Sequence, residues 1–413
     1  MLSFGAKTMG RLCLMVAALM VMVSCGLEEI GSQPVVGDGI WIGPGSVVVG
    51  SGSGAGSEQK VWYAVGVDYP QEYDWRADME KGSVRCSLVV FADGVPMMKV
   101  PVGDEYEVSS DPDMHRVLGG NLYTDYSTSD ETVIKRNGEE LVRYQGREMI
   151  VGMAVEGESV YTRGVPRSGE GFAFRKDGEV LLQRAAGHVF PRLQRVGEGL
   201  AFAFYEPPAR GLARGRFCHY LDGEVSDMDV RLDITDVWDV VWNDGQLCFI
   251  AATAGAPVVV CGGSQTVLGQ KADCRLENSR FIGDGPYVEG VMSRSDGGIV
   301  SAIWNCGQQT DAIKVLESFS AGYIMTSSCR SDDGVACVLN SPDMFKDGVI
   351  YREGKMFKMP SGYFCIGGKS MVMVNGKLHV GLTSGMGEYP AVWIDEKMKP
   401  LKINGFISHI SID

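Results

Sequence analysis

One pattern recurs along this chain and limits what it can fold into. A short apolar or aromatic strand runs into a turn centred on glycine, and a second strand follows. The copies read LVVFADGVPMM, TVIKRNGEELV, GFAFRKDGEVL, FCHYLDGEVSD, PVVVCGGSQTV, SAIWNCGQQTD, GVIYREGKMFK and AVWIDEKMKPL. The turn glycines are Gly94, Gly138, Gly178, Gly223, Gly263, Gly307 and Gly354, with Glu396 in the eighth copy, at spacings of 40 to 47 residues. Asp-Gly and Asn-Gly are strong hairpin signals, because both turn residues must take positive φ.

A second hairpin precedes each of these from the second copy on. Its turns are Gly119-Gly120, Glu156-Gly157, Gly197-Glu198-Gly199, Asp244-Gly245, Asp284-Gly285, Asp333-Gly334 and Asn375-Gly376. Each unit therefore holds four strands, the content and period of a propeller blade. The first copy lacks a first strand. The chain ends on a spare alternating strand, Phe406 to Ile412. Seven complete units plus one split between the two ends predict an all-β propeller of eight four-stranded blades, with seven as the alternative. The C-terminal strand closes the ring and removes its free edges. The high glycine content, 55 of 413 residues, follows from so many tight turns.

The N-terminus carries different information. Lys7 and Arg11 precede an apolar run from Leu12 to Val23, too short to span a bilayer. It ends in Met22-Val23-Ser24-Cys25-Gly26, which resembles the lipobox of bacterial lipoproteins, although Met22 stands where leucine is commoner. The resemblance implies cleavage before Cys25 and lipid attachment to its thiol. The segments are then a signal peptide at 1–24, a lipidated Gly/Ser-rich linker at 25–59 and the propeller at 60–413. Glu28-Glu29 resembles the surface-export signal of lipoproteins from Bacteroides-like bacteria, which implies an outer-membrane anchor facing the cell exterior.

Fingerprints of named propeller families are missing: paired Gly-His and Trp-Asp dipeptides, the Asp-box of sialidases, and the tryptophan docking motif of quinoprotein dehydrogenases. Kelch is a poor match, because Gly262-Gly263 is a lone double glycine. The repeat, aromatic-x-x-Asp/Asn-Gly-Glu, resembles the glycine-turned propeller lipoproteins of Bacteroides-like bacteria, a family mostly without assigned function. That implies a fold rather than an activity.

In a four-stranded meander the first–second and third–fourth turns share one face, and these are short. The other face holds the long connections: Tyr69 to Ser83, Gly103 to Asp113, Glu206 to Gly215 and Asn340 to Asp347. Binding residues commonly sit on variable loops over a rigid scaffold. The richest loop offers Tyr69, Glu72, Tyr73, Asp74 and Trp75, where rings can stack on sugar or peptide and carboxylates take hydroxyls or amides. The competing reading packs the aromatics onto the first blade. Asp239, beside Trp238 and Trp242 on an axis-lining strand, either faces the channel or pairs with a neighbouring blade. Arg210, Arg214 and Arg216 form either a basic spot for an acidic ligand or solvated loop charge.

The net charge of −14 argues against nucleic acid, which needs a basic stripe. The five histidines show no metal-ligand spacing, and no nucleophile elbow or nucleotide loop exists. No cofactor or metal is expected. Cys248 with Cys261, and Cys329 with Cys337, fall across hairpins. They form either cross-strand disulfides or, as favoured for cysteines scattered without a framework, small buried side chains. The expectation is a membrane-anchored binding or scaffold propeller with a glycan or protein ligand. The alternatives are a polysaccharide-acting hydrolase or lyase, and a structural subunit of an envelope assembly.

Overall fold

The turn dipeptides behave as their composition requires. Asp93, Asn137, Asp177, Asp222, Asp244, Asn375 and Asp395 all have φ between 41° and 54°. Each is followed by glycine in the same region, except that Glu396 follows Asp395 at φ 71°. Most of these residues do more than turn the chain. The side-chain oxygens of Asp93, Asn137, Asp177 and Asp395 accept from the backbone N–H of Trp62, Leu122, Val160 and Leu378 at 2.8–3.3 Å. Their own N–H groups donate back to the carbonyls of the same four residues. The third–fourth turn of a blade is thereby clasped to the start of its second strand.

The computed structural model describes residues 60–412 except 74–85, 103–114, 167–169, 209–214, 229, 231–233, 255, 269–273, 296–298, 307–312, 316–322, 332–333, 342–346, 353 and 367–368. Its strands form eight antiparallel sheets, each one blade. Blade 1 runs, from outside inward, Val95–Pro101, Ser87–Ala92, Trp62–Asp68 and Gly405–Ile412. The C-terminal strand is thus the innermost strand of the first blade and pairs with Trp62–Asp68 from Trp62↔Ile412 to Asp68↔Gly405. Both the eight-bladed count and the closure expected from the sequence are met.

Two blades depart from the pattern. The inner strand of blade 4 is split into His188–Val189 and Gln194–Val196, and that of blade 8 into Tyr363–Phe364 and Met371–Val374. These blades lie on opposite sides of the eight-membered ring.

The inner and middle strands pack on both faces and read as nearly continuous apolar runs, whereas outer strands such as Glu224–Asp227 and Lys355–Lys358 are largely exposed. Eight core clusters result, one per interface between neighbouring blades. Alternation assigns the sides: Val65 and Val67 face blade 2, whereas Trp62 and Ala64 face blade 8. The closing strand contributes Phe406 to the first of these clusters and Ile407 and Ile410 to the second.

The cysteines follow register. Cys248 sits opposite Cys261, and the two form a disulfide, against the favoured reading of them as small buried side chains. Cys329 pairs with Ala336 and Cys337 with Ser328. A one-residue offset sends the two thiols to opposite faces: Cys329 packs toward blade 8 and Cys337 toward blade 6. Both are free.

Deleting Gly405–Asp413 removes the buried Phe406, Ile407 and Ile410 and exposes the strand they cover. At about 1.5–3 kcal/mol per buried side chain, the loss is roughly 5–9 kcal/mol, a large part of a typical domain's stability. Calorimetry should show the melting temperature falling by roughly 10 °C or the cooperative transition disappearing. An unchanged transition would contradict closure by this strand.

Candidate functional site

The predicted loop after the second strand of blade 1 is partly described. The Tyr69 and Tyr73 rings meet at a tilt with centroids 5.3 Å apart, and both pack onto the blade 1 core. Tyr69 also lies 6.5 Å from the Phe406 ring. Burial, with Cys86 and Tyr73 adding to it, holds the Tyr69 hydroxyl well above its ordinary range. Cys86 beneath it is pushed up to about 12 by burial and the Asp68 carboxylate. Glu72 stands exposed. Asp74 and Trp75 lie outside the described residues, as do Cys25, the signal peptide and the linker.

Asn404, on the link from blade 8 into the closing strand, holds this loop. Its Nδ2 donates to Pro70 O at 2.6 Å and to Tyr73 O at 3.0 Å. Its N–H donates to Asp68 Oδ1 at 2.9 Å, and its carbonyl accepts from Tyr69 N at 2.9 Å. Asp68 in turn pairs with Lys99 at 2.7 Å. The loop conformation is therefore set by the far end of the chain.

On the same face, blade 8 presents a loop that sequence reasoning passed over. Ser384 to Pro390 displays Met386 at 73 % and Tyr389 at 48 % exposure. The loop is tied down while its tip stays open. Tyr363 Oη donates to Glu388 Oε2 and shares the Tyr389 carbonyl, both at 3.0 Å. Gly385 N donates to Gly362 O at 2.9 Å. Gly362 takes φ +79°, and a Cβ there would meet the Met386 side chain at 2.8 Å. Burial and the Glu388 carboxylate push the Tyr363 hydroxyl up to about 12. The glycines flanking Met386 were the available signal.

Asp239 pairs with a neighbouring blade. It lies on the inner strand of blade 5, Ile234–Asn243, and is 2 % exposed. Arg192, in the gap of the split inner strand of blade 4, donates through Nε to both Asp239 oxygens at 3.2 and 3.0 Å. It continues to the carbonyls of Gly283, at 2.8 Å, and Phe281 in blade 6. Val240 N and Phe281 N complete the carboxylate's partners at 2.9 and 2.8 Å. Gln194 repeats the reach, donating to Asp284 Oδ1 and accepting from Trp242 N, each at 3.0 Å. Burial raises the Asp284 carboxyl against the opposing pull of Arg192. One arginine and one glutamine thus clamp three successive blades around the axis.

Arg216 is paired, to Glu206 at 2.5 Å and Asp227 at 3.2 Å, and Arg184 takes the other Glu206 oxygen at 2.5 Å. Arg216 opens the third strand of blade 4 rather than lying in the loop, and two carboxylates balance its charge; Arg210 and Arg214 lie outside the described residues. Among the described residues no group of three histidine, cysteine or acidic side chains could hold a metal ion. No helix among them is long and apolar enough to cross a membrane.

No protein-family model and no curated protein matches the sequence. Similar solved structures include the β-propeller domain of the Trilobed protease from Pyrococcus furiosus (10 % identity, TM-score 0.44, 74 % of this chain and 94 % of that one). TolB from Acinetobacter baumannii is another (12 % identity, TM-score 0.31, 70 % and 81 %). A puromycin-hydrolyzing peptidase from Mycobacterium tuberculosis matches at 12 % identity and TM-score 0.42 over 64 % of this chain, which spans 47 % of that protein's length. Likenesses at this level carry no activity to this chain.

Replacing Arg192 by methionine leaves the Asp239 carboxyl buried and without its cation. The expected cost in urea unfolding is about 3–5 kcal/mol. A loss below about 1 kcal/mol, the size of an exposed pair, would contradict the clamp.

Proposed function

We propose that this chain is a lipid-tethered binding propeller, anchored through Cys25 at the outer membrane, whose loop-rich face meets a ligand outside the cell. The observation that carries the reading is where the polypeptide enters the ring. Lys60 and Trp62 lie among the short turns: Asn375 Nδ2 donates to Lys60 O at 3.3 Å, and Asp93 N donates to Trp62 O at 2.9 Å. The long connections leave from the opposite face. A Gly/Ser-rich composition such as that between Cys25 and Lys60 gives a reach of roughly 30 Å. A lipid at its far end therefore turns the short-turn face toward the membrane and the loops away from it.

The chemistry of that face favours a protein ligand. Met386 and Tyr389 are residue types enriched in protein interfaces, adaptable in the first case and amphipathic in the second. Their loop is fixed before binding, which lowers the ordering cost. Glu72, on the adjacent blade, adds an exposed carboxylate. Asp74 and Trp75 belong to the same proposed surface.

Metabolic labelling with an alkynyl fatty acid should mark the wild-type chain and not the Cys25→Ala variant. A photo-crosslinking residue at Tyr389 should give discrete protein adducts on intact cells, whereas one at Gly245, on the short-turn face, should give none. Equal adducts from both positions would overturn the orientation. Absence of adducts together with a positive glycan array would replace the protein ligand by a carbohydrate.

A further inference from the structure

The strand that closes the ring meets blade 2 through a pair of buried histidines. His409 lies on the closing strand and is 3 % exposed; His115 lies on the inner strand of blade 2 and is 1 % exposed. Their ring centroids are 5.6 Å apart across the interface between blades 1 and 2. Ser408, fully buried, joins them. Its hydroxyl donates to Val65 O at 3.0 Å, so His115 Nε2–H donates to the serine oxygen. Ser408 sits where the pairing of the closing strand shifts register, between the partners of Val65 and Gly66. The histidine pair therefore occupies an irregular point of the ladder.

We infer that the closing strand is a proton-sensitive latch: protonation of the His115–His409 pair releases it from blade 2 and, through Asn404, frees the loop Pro70–Tyr73. Among the described residues, none of the groups that act on His409 is a carboxylate. The groups acting on His409 are His115 on blade 2, Lys369 on the split strand region of blade 8, and Arg116, next to His115. All three are cationic or become so on protonation. Arg116 points to the other side of its strand, donating to Ile150 O at 3.3 Å with Asp125 at 3.9 Å. Among the described residues His409 Nδ1 has no hydrogen-bond partner to receive a second proton's charge. Burial, reinforced by these cations, holds His409 well below its ordinary value.

The sign follows from linkage. A histidine neutral in the closed ring binds its proton only when the strand leaves, so acid favours release. Closure is complete above the free imidazole value, about 6.5. It weakens as pH falls below that value, by up to about tenfold in the open-to-closed ratio per pH unit for His409. The released strand begins at Gly405, directly after Asn404, whose four hydrogen bonds fix the loop from Asp68 to Tyr73. Acid would thereby loosen one loop of the proposed binding face; this coupling to a ligand rests on the reading of that face, whereas the latch does not.

The test is hydrogen exchange by mass spectrometry on the full chain at about pH 7.5 and about pH 5.5, corrected for intrinsic exchange rates. In the wild type, protection of residues 405–412 and 68–73 should fall by about tenfold or more at the lower pH, while the strands of blades 5 and 6 keep theirs. His409→Phe keeps an aromatic ring without a titrating group and should lose most of that fall. His115→Gln should do the same and serves if the first variant folds poorly. His188, His219 and His379, which burial also holds low, remain in both variants as internal controls. Unchanged wild-type protection at 405–412, a uniform loss over all blades, or the same fall in both variants would each overturn the latch. None of these outcomes depends on the ligand.

Discussion

The pairing of the last strand with the first is the interaction on which the rest of this molecule depends. Seven blades are built from consecutive chain, and each could be drawn as an open stack. The antiparallel contact between Gly405–Ile412 and Trp62–Asp68 joins residues more than 300 positions apart and turns the stack into a ring. An open stack would leave one face of the first and last blades in water. Closure supplies the eighth cluster, in which Val374 and Val392 of blade 8 meet Ala64, Ile407 and Ile410 of blade 1. It also sets the loop of blade 1, because Asn404 is the hinge between blade 8 and the closing strand.

The ring was legible because its determinants are local. An Asp-Gly or Asn-Gly pair between apolar runs must turn, and repetition near 44 residues leaves few architectures. The clasps at Asp93, Asn137, Asp177 and Asp395 show why aspartate and asparagine recur: glycine alone would make the turn but could not accept from the second strand. That second role was in the repeat but had no signal of its own. The spare C-terminal strand was readable only by counting, since nothing near Phe406 names Trp62 as its partner.

What stayed hidden depends on register and on long-range contact. Cys329 and Cys337 look like a cross-strand pair until a single residue of offset sends them to opposite faces. Asp239 could not be assigned because its partner, Arg192, stands in the gap of a strand expected to be continuous. Composition drew attention to Tyr69 and Tyr73, yet Asn404, over 330 residues later, decides that their loop packs down. Met386 and Tyr389 sit in a short glycine-flanked loop of ordinary composition, and only their exposure singles them out.

Blade 1, split between the two ends of the ring, is built of four antiparallel strands as blade 2 is from one stretch of chain. Trp62 lies opposite Ile412 as Asn121 lies opposite Leu118 across its two-residue turn. A circular permutant that joins Ile412 to Trp62 through Asn-Gly and opens the chain between Gly119 and Gly120 tests this directly. The account predicts a cooperative unfolding transition within about 2 kcal/mol of the parent, the usual size of a turn-level change. A permutant that fails to fold, or that melts without cooperativity, would contradict it.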